Sequence, residues 1–284
     1  MQHARMTKQL ENKIRETVKR VRPRNIGVAF SGGVDSSLLA KACKDAGKNV
    51  TLLTVSFSNK RDIEVSSEVS KALGLDLSHE LISLDELENG LKAVLALIEF
   101  DRTVRLENST CFYYVFKLAS RHGLSTVLSA NGIDELFCGY YAYTRHFGDE
   151  TAMSNLMVTL VATARKDKQE IDKISALFGI RHVCPFLSKS FVDFAAEIPF
   201  KLKIKSEDDR LRKHIVREVA LEIGVPKSAA FRAKKAFQYS SGIHKAIAQL
   251  ARKKGFTRQR SRALGFHSAT EAYIENLKKD SPAD

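Results

Sequence analysis

Apolar positions change their spacing several times along the chain, and each spacing predicts an element. Over residues 6–22, Leu10, Ile14, Val18 and Val21 line one face of a helix that Pro23 ends. Residues 26–30, Ile-Gly-Val-Ala-Phe, are almost continuously apolar and predict a buried strand, and the β-branched run 49–57 predicts a second. Helical spacing occupies 38–46 and 61–73, the latter stopping at Gly74. Residues 79–83 predict a short third strand, 85–98 and 109–122 two helices (the second closed by Gly123), and 125–129 a fourth strand. Beyond about residue 140 the strand signals fade, and 153–178, 189–197, 210–223 and 243–253 have helical spacing.

Strands alternating with helices of this length imply right-handed βαβ units and a parallel sheet. The expected fold is therefore α/β with an all-α C-terminal half. The expected division is a basic N-terminal helix (1–24), an α/β domain (25–145) and a helical part packed on the sheet (146–284). Ligands of parallel sheets bind beyond the carboxyl ends of the strands. Ser31, Ser56 and Ser129 follow such ends and are expected to converge on one crevice.

Composition narrows the class without changing it. A chain of 284 residues with 44% hydrophobic and 28% charged residues reads as a soluble globular protein, with no apolar run long enough for a membrane span and no secretory signal at its start. A cytoplasmic location is expected. Cys43, Cys111, Cys138 and Cys184 are too few and too scattered for a disulfide framework and read as small core residues. The net charge of +13 is concentrated at both ends, in Arg5 to Arg24 and Arg252 to Arg262. Such clusters could attract nucleic acid, but no aromatic interleaving accompanies them, and a solvated surface is the favoured reading.

The candidate chemistry begins at Ser31-Gly-Gly-Val-Asp-Ser-Ser37, between the first strand and a helix. Glycines let a backbone approach phosphates closely, and N–H groups at a helix start favour negative charge. Hydroxyls of Ser31, Ser36 and Ser37 add donors, and Asp35 could hold magnesium. No lysine stands where a Walker loop needs one. An ordinary strand–helix turn is the bland alternative. Ser-Gly-Gly-x-Asp-Ser instead resembles the PP-loop of the ATP pyrophosphatase group, whose members share a Rossmann-like, adenine nucleotide alpha hydrolase-like domain and split ATP between its α- and β-phosphates.

A second motif, Ser129-Ala-Asn-Gly-Ile-Asp-Glu-Leu-Phe-Cys-Gly-Tyr140, follows the fourth strand. Taken alone, Asp134 and Glu135 could be capping carboxylates at a helix start. The segment resembles Ser-Gly-Glu-Gly-Ser/Ala-Asp-Glu-Leu/Val-Phe-Gly-Gly-Tyr of the asparagine synthetase family. Further resemblances follow in the family's order: Val183-Cys-Pro-Phe-Leu-Ser188 is similar to Val-Pro-Phe-Leu-Asp with the cysteine inserted, 195–204 to the helix end and loop after it, Lys213-His-Ile-Val-Arg217 to Lys-x-Ile-Leu-Arg, and Phe231-Arg-Ala-Lys-Lys-Ala-Phe237 to an Arg-x-Lys-x-x-Phe segment. Together they cover roughly residues 25–245.

The resemblance implies an ATP- and Mg2+-dependent, amide-forming ligase that adenylates a carboxylate, releases pyrophosphate and passes the acyl group to ammonia or another amine. It implies that Ser31, Gly32, Gly33, Asp35, Ser36 and Ser37 cradle the phosphates, that Val55 and Ser129 sit beside the adenosine partly through backbone groups, that Gly132 also binds the nucleotide, and that Asp35 and Asp134 hold metal. Asp134, Glu135 and Lys234 would be catalytic, although Lys234 could equally be a surface cation. Arg105 could clamp a carboxylate or be an exposed helix-start arginine.

Three departures bear on the product. Only about 25 residues precede the first strand and residue 2 is Gln2, so no glutamine-hydrolysing domain is expected here; free ammonia, a separate glutaminase subunit or another amine would supply nitrogen. Asn131 stands where the family has glutamate, and an amide is no base at neutral pH. Ser188 replaces an aspartate expected on the metal side, with Asp193 as a conceivable substitute. These leave ATP binding expected and asparagine as product in doubt. The competing readings are a PP-loop tRNA-modifying enzyme, supported by the basic ends, and a non-catalytic ATP- or AMP-binding module, supported by Asn131 and Ser188.

Overall fold

The computed structural model describes residues 2–57, 60–99, 101–233 and 241–280. Five parallel strands form one sheet: β1 (Asn25–Ala29), β2 (Asn49–Ser56), β3 (Asp76–Leu81), β4 (Thr126–Leu128) and β5 (Arg181–Val183), in the order β3-β2-β1-β4-β5. Every pairing is parallel, with Ile26 opposite Val50 and Val28 opposite Leu128.

Alternate strand residues feed two cores, one on each sheet face. Ile26, Val28, Leu52 and Leu128 point to the first, which α1 (Gln2–Lys19), α2 (Val34–Asp45), α8 (Lys189–Ala196) and α9 (His214–Glu222) cover. Leu53, Val55 and Val127 point to the second, under α4 (Leu84–Leu95), α5 (Thr103–Arg121), α11 (Ile243–Lys253) and α13 (Ala269–Asp280). The long α7 (Glu150–Ala176) serves both, with Met153 and Met157 in the first core and Ile171 and Ile174 in the second. Gly27 in the middle of β1 lets the core approach closely: a Cβ there would lie 2.6 Å from Leu53 Cδ1, so that side chain would have to move.

The sequence expectations of a parallel α/β sheet and a mainly helical second half hold, with four differences. The third strand is Asp76–Leu81; Ser83 instead caps α4, accepting from Glu86 N while the Glu86 carboxylate accepts from Ser83 N at 3.0 Å. The helix expected from 109 starts at Thr103. Residues 181–183, inside the stretch read as all-helical, form the edge strand β5. Two helices, α12 (Arg258–Ala263) and α13, were not anticipated. Cys43, Cys111, Cys138 and Cys184 are buried free thiols. Among the described residues, no helix is long and apolar enough to cross a membrane.

Candidate active site

Strand order reverses at β1, whose neighbours β2 and β4 lie on opposite sides. Such a switch point opens a crevice at the carboxyl ends of the strands. A cleft of about 350 Å3 lies there, lined among others by Ser31, Asp35, Ser36, Arg105, Ser129 and Asp134.

The turn from β1 into α2 is tied within itself and to its neighbours. Ser31 N donates to Ser36 Oγ at 3.3 Å, Ser36 Oγ donates to Gly33 O at 3.3 Å, and the two hydroxyls lie 3.2 Å apart. Gly32 has φ +66°, and a Cβ there would lie 3.2 Å from the Ser66 Cα of α3 (Lys60–Leu73). Arg232 Nη1 donates to Ser31 O at 2.8 Å. The first N–H groups of α2 have no intrahelical partner and are available to an anion. Ser37, expected among the phosphate ligands, is fully buried and outside the cleft wall.

Lys213 joins the two motifs. Its Nζ lies 2.5 Å from Asp35 Oδ2 and 2.5 Å from Asp134 Oδ1. Burial alone would pull the ammonium down, but Asp134 and Asp35 hold it above the ordinary lysine value. Gly139 makes room for this pair: a Cβ there would stand 1.9 Å from Asp134 Oδ1 and 2.6 Å from Lys213 Cε. Cys138, Arg212 and Lys213 are the non-glycine residues with left-handed backbone among those described, with φ of 58°, 48° and 55°. All three adjoin this contact, and Arg212 Nε binds Gly139 O at 3.2 Å, linking the strained segments. Arg217 donates to the carbonyls of Leu211, Arg212, Ala230 and Arg232, fixing both the Lys213 loop and the Arg232 segment.

Glu135 has a mainly architectural set of partners. Its carboxylate accepts from Gly132 N at 2.9 Å and from Tyr140 OH at 2.7 Å, and its carbonyl accepts from Tyr143 OH. Gly132, at φ +108°, packs 2.9 Å from the Phe186 backbone by the same virtual Cβ measure. Arg105 lies on the cleft wall, with Nη1 2.8 Å from Asp101 and Nε 3.0 Å from Asp167. Asn131 also lines the cleft.

Several expected neighbours are elsewhere. Val55 is buried in the second core, opposite Glu80 in the β2–β3 ladder, and does not line the cleft. Ser56 binds His79 Nε2 at 2.9 Å and does not line it either. Ser188 stands at the start of α8 without a side-chain capping bond and faces a different depression, between the end of α1 and β5, while Asp193 pairs with Lys189 at the surface. Neither belongs to the cleft. Lys234 lies outside the described residues. Sequence reasoning quoted Lys213 and Arg217 as parts of a motif but assigned them no role; the polar i,i+4 pair flanking apolar Ile215 and Val216 was the available signal.

Residues 9–162 and 147–280 match the family model described as asparagine synthase. A putative glutamine-hydrolysing asparagine synthetase from Methanocaldococcus jannaschii is 30% identical over 276 residues, covering 86% of this chain and 51% of that protein. Asparagine synthetase B (glutamine-hydrolysing) from Escherichia coli is 28% identical over 232 residues, covering 76% of this chain and 41% of its own length. The chain thus spans about half or less of these curated relatives. A solved structure of NMN synthetase from Francisella tularensis aligns over 98% of this chain and 94% of its own at 16% identity and a TM-score of 0.45, a likeness too loose to carry an argument. With the family match extending across both motifs and the helical half, the chain belongs to the asparagine synthase family.

Proposed function

We propose that the chain is an ATP-dependent, AMP-forming carbon–nitrogen ligase. A substrate carboxylate attacks the α-phosphorus of ATP, pyrophosphate leaves, and an amine then displaces AMP from the acyl-adenylate. The observation that carries this reading is the shared ammonium: Lys213 binds the phosphate-loop Asp35 and the second-motif Asp134 at once, at the mouth of a loop built for an anion. Family membership supports the same reaction class.

The residues also suit magnesium. Asp35 Oδ1 is buried without a hydrogen-bond partner among the described residues. No cluster of three or more His, Cys, Asp or Glu able to hold a metal occurs among them. One or two carboxylates plus substrate phosphates is the usual magnesium set, so Asp35 and Asp134 would hold the ion, which would offset phosphate charge.

The chain's own groups do the remaining work. The loop N–H groups and Ser31 and Ser36 hydroxyls hold the phosphates, and Lys213 steadies the two carboxylates while adding positive charge beside the leaving group. Arg105, fixed by Asp101 and Asp167, offers a rigid guanidinium edge for a carboxylate. Lys234 enters this scheme only through the family resemblance. Asn131 cannot take the proton of an incoming ammonium, so the amine must arrive neutral or lose its proton to another group. Ammonia, a glutaminase subunit or a different amine remain the donors proposed.

The test is ATP–pyrophosphate exchange across a panel of carboxylic acids, with Asp35→Ala as control. Exchange dependent on one acid and lost in the control is expected. No exchange with any acid, despite ATP binding, would leave a binding module and end the ligase reading. Amide formation with ammonium alone, against formation only with an added glutaminase, separates the nitrogen sources.

A further inference from the structure

A second depression, of about 410 Å3, lies outside the cleft, between the residues that follow α1 and those of β5 and just beyond. Val21, Pro23, Val183 and Pro185 give it apolar walls, and Arg20, Arg22 and Arg181 stand around them. No acidic residue is among the described residues that line it. Glu16, one turn before Arg20, pairs with Arg20 alone of the three. Among the described residues Arg22 and Arg181 form no ion pair and no side-chain hydrogen bond.

Both walls are held in place. Lys48 Nζ donates to the carbonyls of Val21 and Pro23, the latter at 3.2 Å, and brings a fourth positive charge to that wall. Arg20 Nη1 donates to Ser190 Oγ at 3.2 Å, which ties the end of α1 to α8. On the opposite side Arg181 N donates to Ser125 O at 2.9 Å and Ser188 N to Pro185 O at 3.2 Å. The cavity is therefore pre-formed, and like charges around apolar walls focus a positive potential inside it.

Ser188 is a departure from the family pattern that the cleft leaves unexplained. The resemblance expects an aspartate there, yet residue 188 lines this depression and not the cleft. A carboxylate at 188 would put negative charge into the same wall as Arg181. Serine leaves a neutral hydroxyl and an unmet positive charge.

We infer that this depression binds a small organic dianion: a phosphate monoester or a dicarboxylate carried on an apolar body. Arg22 and Arg181, with Arg20 partly engaged by Glu16, supply planar donor forks that match either oxyanion. The apolar walls cover the body of the ligand. The site is separate from the nucleotide cleft and does not depend on what the cleft binds. The two are close, because segment 183–188 stands between them: Val183 O accepts from Ser129 N at 3.0 Å, and the Phe186 backbone packs on Gly132.

The experiment is calorimetric titration of the full chain, at about 0.15 M salt, with phenyl phosphate, phthalate and inorganic phosphate. One saturable site with a Kd below about 1 mM is expected for at least one of the two aromatic dianions, and the tighter of them tells phosphate ester from dicarboxylate. Inorganic phosphate should bind at least about tenfold more weakly, since it leaves the apolar walls uncovered. Arg22→Gln and Arg181→Gln should each weaken binding by about tenfold, and Ser188→Asp by at least as much. All three positions are exposed and outside the cleft, and aspartate is favoured at a helix start, so these variants should fold. Arg258→Gln, on α12, should leave binding unchanged.

No saturable binding of either aromatic dianion would overturn the inference. So would binding that Ser188→Asp and both arginine variants leave unaltered, which would put the anion elsewhere, at the loop after β1 for instance. An equal loss in Arg258→Gln would overturn it too, by showing attraction to the net charge alone. Inorganic phosphate that binds as tightly as the aromatic dianions would reduce the site to a bare cationic patch, which is not the site inferred.

Discussion

Lys213 sits with a side chain only 2% exposed between two carboxylates that are 20% and 17% exposed. Removing a buried counter-ion costs more than the pair itself is worth, because the remaining charges stay desolvated. Lys213→Met is expected to lower unfolding free energy by about 3–5 kcal/mol, measured by urea denaturation. Adding Asp134→Asn should return part of that loss by removing one of the facing charges; if the double variant is weaker than Lys213→Met, the carboxylates are not repelling each other. Gly139→Ala tests the same contact sterically. Its Cβ would fall 1.9 Å from Asp134 Oδ1, so the loop must shift, at about 1–3 kcal/mol. Pyrophosphate exchange in this variant should drop at least tenfold, while a variant with full exchange would show the contact to be dispensable. The anion loop itself was legible in the sequence, because its strand, glycines and helix are contiguous. Lys213 was not, because it reaches Asp35 from 178 residues away.

The strands that read correctly, β1, β2 and β4, are inner strands of the sheet and mostly buried, so their composition alone marks them. The edge strands read poorly for a physical reason. β3 is Asp-Leu-Ser-His-Glu-Leu and β5 is Arg-His-Val, each half-covered, so their apolar content is too low to stand out. The start of α5 was hidden because its first turns put Arg105 and Asn108 toward the cleft, which breaks the helical apolar period. Val55, which the family resemblance puts beside the adenosine partly through backbone groups, lies inside β2 with its side chain in the core under α4 and α5. In β1, Gly27 reports how tightly that core meets the sheet. Gly27→Val should cost about 1–3 kcal/mol through collision with Leu53. Leu53→Ala, itself a cavity-forming change, should cost less in the Gly27→Val background than in the wild type, a coupling that a double-mutant cycle measures.

Among the described residues, the ion pairs that partly exposed lysines and arginines make at the surface, such as Lys8 and Arg15 with Glu11 or Lys254 with Glu88, contribute little. Among the described residues two lysines are fully interior, and their values are shifted in opposite directions. Lys213, between its carboxylates, is held above the ordinary value. Lys203 is 0% exposed, donates to Ala195 O at 2.7 Å and lies over the rings of Phe137 and Phe200, with no carboxylate beside it. Burial lowers it from 10.5 to about 8. Below about pH 8 both the folded and unfolded chains carry this proton, and the folded state bears the full penalty of a desolvated ammonium. Between about 8 and 10.5 the unfolded chain binds the proton and the folded chain does not, so this group makes stability rise with pH across that window. Lys203→Met keeps the apolar stem, and Ala195 O retains the Ile198 N–H at 3.3 Å. The substitution should therefore stabilise the fold at pH 7 by about 1–3 kcal/mol, and the advantage over the wild type should shrink steadily above pH 8. Paired urea titrations at pH 7, 8.5 and 10 measure the difference directly. An advantage that is absent at pH 7, or that grows with pH, would mean that the Lys203 ammonium is compensated by its carbonyl and aromatic partners rather than tolerated as a cost of the fold.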